Sequence, residues 1–106
     1  MKIYKYEFSL FYGCTHIKEF ECNEIKTTRG KSYFIRGKGQ MVSQKRLDQF
    51  KPIKNGLNLI CWSFRDDRTN DFKFHCRAKI KKMLYDINEK YTYLITRLNE
   101  EIECED

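Results

Sequence analysis

No run of about 18 consecutive apolar residues occurs in the 106-residue sequence, so no membrane-spanning helix is expected. The N-terminus offers no secretory signal either. In Met1-Lys2-Ile3-Tyr4-Lys5-Tyr6-Glu7 a charge interrupts each apolar stretch, where export requires an unbroken one. The cysteines form no framework: Cys14, Cys22, Cys61, Cys76 and Cys104 are odd in number and scattered, with no Cys-x-x-Cys pair. Reduced thiols and a cytoplasmic setting are therefore expected. Ala78 is the sole alanine and Pro52 the sole proline, while Lys, Asn, Ile, Tyr and Phe are abundant, the mark of an AT-rich coding sequence. Internal repeats and low-complexity segments are missing.

Several chemistries lack their residues. A metal site could draw only on Cys14, His16, Cys22, His75 and Cys76, and the adjacent His75 and Cys76 would point about 100° apart on a helix. No metal and no cofactor is expected, and Cys22, Cys61 and Cys76 read as small core hydrophobes. Nucleophilic catalysis would need a thiol or hydroxyl beside a base, and His16 and His75 are the only histidines. Nothing in the spacing brings them together. Asp66 and Asp67 sit where a helix cap belongs, and Gly37-Lys38-Gly39 lacks the flanking spacing of a phosphate loop, which leaves it a plain turn. A non-catalytic role is expected.

What is present suits one α+β domain over residues 1–106. Residues 2–12 alternate, with Tyr4, Tyr6, Phe8, Leu10 and Tyr12 on the face expected to be buried. After a turn at Gly13-Cys14-Thr15, residues 16–25 make a second strand, and residues 32–36 a third ended by the two glycines. Ser43 can cap a short helix over residues 44–50, with Leu47 and Phe50 three apart on one side and Pro52 preventing continuation. Residues 57–64 are apolar on both faces and mark the most buried strand. The spacing then predicts a long helix over residues 68–103, capped by Asp66, Asp67 or Thr69. Its stripe is Phe72, Cys76, Ile80, Met83, Ile87, Tyr91, Leu94, Leu98 and Ile102. Residues 104–106 form an acidic tail. The expected fold is an antiparallel sheet of about four strands, residues 1–64 with the short helix, and a long amphipathic C-terminal helix across one face. At 1.5 Å per residue that helix, about 50 Å long, outreaches strands of about 33 Å. It must bend near Asp86-Ile87-Asn88 or pack its distal stripe on a second copy of the chain, a homodimer through the C-terminal helix.

The net charge of +6 conceals a polarity. Residues 26–54 hold nine bases against the single acid Asp48, whereas residues 83–106 hold two bases against seven acids. Lys73, Arg77 and Lys81 add a second basic row at i, i+4 spacing. Basic residues interleaved with Tyr33, Phe34 and Phe50 point to contact with nucleic acid or a nucleoprotein. The expected contact residues are Arg29, Lys31, Arg36, Lys38, Lys45, Arg46, Lys73, Arg77 and Lys81; neither a helix-turn-helix nor an RNP-type pattern accompanies them. Tyr91, Tyr93, Leu94 and Leu98, beyond the reach of the sheet, are the expected protein interface.

A compact chain of this kind, with unpaired cysteines and no catalytic motif, resembles the accessory proteins carried by phages and mobile elements. That resemblance implies an alternative: an inhibitor or adaptor acting in the host cytoplasm. It would occlude a larger host protein, for example a nucleic-acid-binding defence effector.

Overall fold

Alternating side chains make a strand, and an antiparallel sheet packs at least one face of that alternation against a core. The computed structural model describes residues 1–104. Its strands are β1 (Lys2–Ser9), β2 (Thr15–Thr27), β3 (Gly30–Ile35), β4 (Gln40–Ser43), β5 (Ile53–Asn55) and β6 (Asn58–Ser63). The short helix α1 is Gln44–Gln49 and the long helix α2 is Thr69–Cys104. The acidic tail expected over 104–106 lies, past Cys104, outside the described residues. Contacts divide the chain into two compact units, Met1–Cys76 and a second that starts at Arg77.

The sheet has six strands in the order β4-β3-β2-β1-β6-β5, not about four, and every pairing is antiparallel. The two extra strands are its edges. β4 is four residues long and follows Gly39, while β5 is three residues long and follows Pro52, so neither is long enough to display an alternation. An edge position tolerates a neighbouring proline because one side of the strand needs no ladder.

β2 serves two partners: its first part pairs with β1, and residues 22–27 pair with β3. The sheet curls around that change. Its inner face gathers Ile3, Cys22, Tyr33, Ile35, Val42, Ile60 and Trp62, and Leu47 from α1 closes the cluster. α1 links the two edge strands β4 and β5. Its Ser43 cap forms as expected: Ser43 Oγ accepts the Arg46 N–H at 3.2 Å. The helix ends where Phe50 turns left-handed, at φ 44° and ψ 46°. A bulky residue strains there, and burial offsets the strain, since Phe50 is 1% exposed and stacks edge-on to Tyr6 at 5.3 Å.

β6 is the most buried strand, with Leu59 to Ser63 all inaccessible. β1 departs from its expected pattern. Tyr6 is fully buried on the anticipated face, but the strand stops at Ser9, and Tyr12 is 79% exposed. The reason lies in the turn, where Gly13 N–H donates to the Ser9 carbonyl at 2.8 Å and Ser9 Oγ accepts from Tyr12 N–H at 3.0 Å. The other face is also closed, because Ile3 is fully buried on it.

Tyr6 ties β1 to the start of α2. Its hydroxyl donates to the Arg65 carbonyl at 2.6 Å and accepts the Arg68 N–H at 3.1 Å, while its ring lies 5.5 Å from Phe72. Asp67 does not cap the helix as expected, because Arg65 holds its carboxylate at 2.8 and 2.9 Å. Instead the Arg68 carbonyl accepts the Phe72 N–H at 2.9 Å. Of the expected helical stripe, Phe72 and Cys76 are buried. In the second unit Ile80 and Met83 are half-buried, and every side chain over residues 84–102 is exposed. α2 continues unbroken through Asp86-Ile87-Asn88.

Tyr6→Phe keeps the ring but strands a backbone carbonyl and N–H. We expect it to lower stability by about 1 kcal/mol, measured by urea unfolding followed through Trp62 fluorescence.

Candidate functional site: the basic arc and the hairpin tip

Lysine and arginine side chains attract a polyanion only where no carboxylate already neutralises them. Among the described residues, Lys31 alone of the nine bases over residues 26–54 makes an ion pair, to Glu24 at 3.2 Å. That partner also raises the Lys31 pKa. The remaining bases lie at the end of β2, in the β2–β3 turn, the β3–β4 turn, α1 and the β5 segment, all in the first unit.

Arg29 is exposed in the β2–β3 turn, where Thr27 Oγ1 accepts its N–H at 3.3 Å. Arg36, at the end of β3, donates from Nη2 to Asn23 Oδ1 at 3.1 Å. A neutral amide orients the guanidinium and leaves its charge intact. Lys38 lies in the next turn with its ammonium 5.6 Å from the Phe20 ring. Gly37 and Gly39 flank it at φ 80° and 59°, and at either glycine an added Cβ would meet nothing within 4 Å. The backbone of this turn is therefore open to a ligand. Lys45 is exposed on α1.

The structure changes three of the expectations. Arg46 is half-buried rather than superficial, and its Nε is buried with no hydrogen-bond partner among the described residues. Burial lowers its pKa, against a smaller upward pull from Cys61. Tyr33 and Phe50, expected to interleave with the bases for stacking, are 5% and 1% exposed and belong to the core; Phe34 is half-buried. Tyr33 joins the cluster on the sheet's inner face and Phe50 packs on Tyr6 and Phe72, which periodicity over a few residues does not reveal. The second basic row divides between the units: Lys73 is exposed in the first, and Arg77 and Lys81 are exposed in the second. Tyr91, Tyr93, Leu94 and Leu98 are exposed in the second unit.

One feature escaped the sequence. At the β1–β2 tip Phe11 and Tyr12 are 72% and 79% exposed, their rings edge-on at 4.8 Å. The β5–β6 turn joins them, since Leu10 N–H donates to the Leu57 carbonyl at 2.8 Å, and Leu57 is 64% exposed. The signal available was Gly13, whose φ of 70° ends the alternation before Tyr12 can face inward.

The same hairpin holds Cys14 Sγ 3.3 Å from His16 Nε2. His75 is not part of this pair and lies against the rings of Phe50 and Phe74, at 6.1 and 5.9 Å. Among the described residues no group of three or more His, Cys, Asp or Glu side chains is placed to hold a metal ion. No described helix is long and apolar enough to cross a membrane.

Across the β1–β2 ladder His16 stands opposite Glu7. Lys5 and Lys18 approach the Glu7 carboxylate at 2.8 and 3.6 Å, and the Lys5 and Glu7 side chains are only 16% and 14% exposed. Burial pushes the Glu7 pKa up, but the two ammonium groups outweigh it and the net shift is downward. A carboxylate with a depressed folded pKa stabilises the fold above its unfolded value, and that contribution is lost as pH falls through the folded pKa.

Two outcomes are expected here. Glu7→Gln flattens the acid limb of the stability–pH curve below about pH 4.5, measured by urea midpoints at successive pH values. In the native state iodoacetamide labels Cys14 ahead of Cys22, Cys61 and Cys76, checked by peptide mass mapping. Those three are buried thiols whose pKa burial raises, to about 12 for Cys61 and about 11 for Cys76.

In comparisons with known proteins, no protein-family model, no curated protein and no solved structure matches this chain.

Proposed function

We propose that this is a non-catalytic binding protein whose basic arc contacts the phosphates of a nucleic acid or nucleoprotein. The supporting observation is the absence of ion pairing: among the described residues, eight of the nine bases over residues 26–54 have no carboxylate partner. Arg36 and Lys38 supply exposed charge at the β3–β4 turn, and Arg29 and Lys45 supply it at the opposite end of β3. The open glycine turn lets backbone N–H groups approach a phosphate oxygen. Such contacts set affinity and register without reading bases, so binding with little sequence preference follows. Each neutralised phosphate releases counterions, which makes the affinity fall steeply with salt.

A second reading, a protein-binding inhibitor or adaptor that acts by occlusion, draws on the hairpin tip. Exposed aromatics beside an aliphatic residue are the usual anchors of a protein interface, and Phe11, Tyr12 and Leu57 supply them. The two readings place the decisive residues on different segments.

Fluorescence anisotropy of labelled single- and double-stranded DNA and RNA, at about 50 and about 200 mM salt, tests the first reading. Micromolar or tighter binding is expected at the lower salt, weaker at the higher, and reduced about tenfold or more by Arg36→Glu with Lys38→Glu. Absence of binding at the lower salt, or indifference to that double reversal, rules the basic arc out and leaves the aromatic tip as the site.

A further inference from the structure

The second unit is a helix without a core. Over residues 84–102 every side chain is exposed, and an unpacked helix is marginal in water because packing of an apolar face supplies most helical stability. Its charge order adds to the difficulty. The last turn contains no base, and Glu100 and Glu101 stand where the helix dipole disfavours acids.

Ile80, Leu84, Ile87, Tyr91, Leu94 and Leu98 recur at alternating steps of four and three, the spacing of a coiled-coil seam. Five of the six are between 42% and 61% exposed, and Ile80 is half-buried. We propose that a second copy of the chain covers this seam in an antiparallel two-stranded coiled coil.

Charge decides the orientation. A parallel pair would set Arg77, Lys79, Lys81 and Lys82 beside the same residues of the other copy, and Glu100 and Glu101 beside theirs. An antiparallel pair sets the basic turn against the acidic one. The seam then fixes the register, because one alignment fills every layer: Ile80 on the partner's Leu98, Leu84 on the partner's Leu94, and Ile87 on the partner's Tyr91. The next layer outward brings Arg77 to the partner's Glu101 with no adjustment. Neither side chain has an ion pair within its own chain among the described residues. The whole overlap, residues 77–101, falls inside the second unit.

The test is the solution mass by sedimentation equilibrium between about 1 and about 100 µM, for the full chain and four variants. The full chain is expected to reach twice its 12.9 kDa. Leu94→Lys should return it to the single-chain mass with Trp62 fluorescence unchanged, which shows the first unit still folded. Arg77→Glu and Glu101→Arg should each weaken association about tenfold, by opposing like charges in two symmetric places, and the combined variant should restore it. Single-chain mass at all concentrations, a larger assembly, a dimer that survives Leu94→Lys, or a combined variant weaker than either single one would each overturn the proposal.

Discussion

The position of Tyr6 is the constraint on which the rest of the first unit depends. A tyrosine buried in the middle of a sheet must satisfy its hydroxyl or leave it desolvated, and here it does so by bridging the Arg65 carbonyl and the Arg68 N–H just before α2. Those two bonds fix where the long helix begins. The ring in turn meets Phe72 from α2 and Phe50 from the end of α1. Phe50 can hold its left-handed backbone because this aromatic corner buries it, and the Arg68 guanidinium covers its face at 3.7 Å. Sheet, short helix and long helix thus meet at one side chain whose polar and apolar halves are both used.

Electrostatics divides the first unit in a different way. Where β1 and β2 pair, acids and bases are matched: Lys2 with Glu19, Lys5 and Lys18 with Glu7, and the N-terminus with Glu21. In the turns and helix around β3 and β4 they are not, and a surplus of positive charge stands in solvent. Matched pairs serve the fold, whereas unmatched cations are a field that acts on whatever approaches. The sequence carried the surplus in plain view as a residue count, but not its placement. Arg46 shows the difference, since it counts as one more cation in the sequence, yet its Nε is buried.

The cysteines make a similar point about neighbours. Cys22, Cys61 and Cys76 are buried, which disfavours their thiolates. Cys14 lies in a turn beside His16, two residues away along the strand. Identical side chains thereby differ in chemistry, for reasons of burial and hydrogen bonding that spacing in the sequence does not contain.

The amino-acid sequence by itself determined the elements whose pattern is long enough to repeat: β1, β2, β6, the Ser43-capped α1 and the full length of α2. It determined the charge polarity as well, because composition does not depend on folding. Tertiary structure decided what short segments cannot encode. β4 and β5 exist because neighbouring strands supply their hydrogen bonds, Tyr33 is core because it joins the cluster on the sheet's inner face, Phe50 is core because it packs on Tyr6 and Phe72, and Tyr12 is outside because Gly13 turns the chain. The physical reason is the same in each case: periodicity reports which side chains share a face, and only the packed chain determines whether that face meets protein or water.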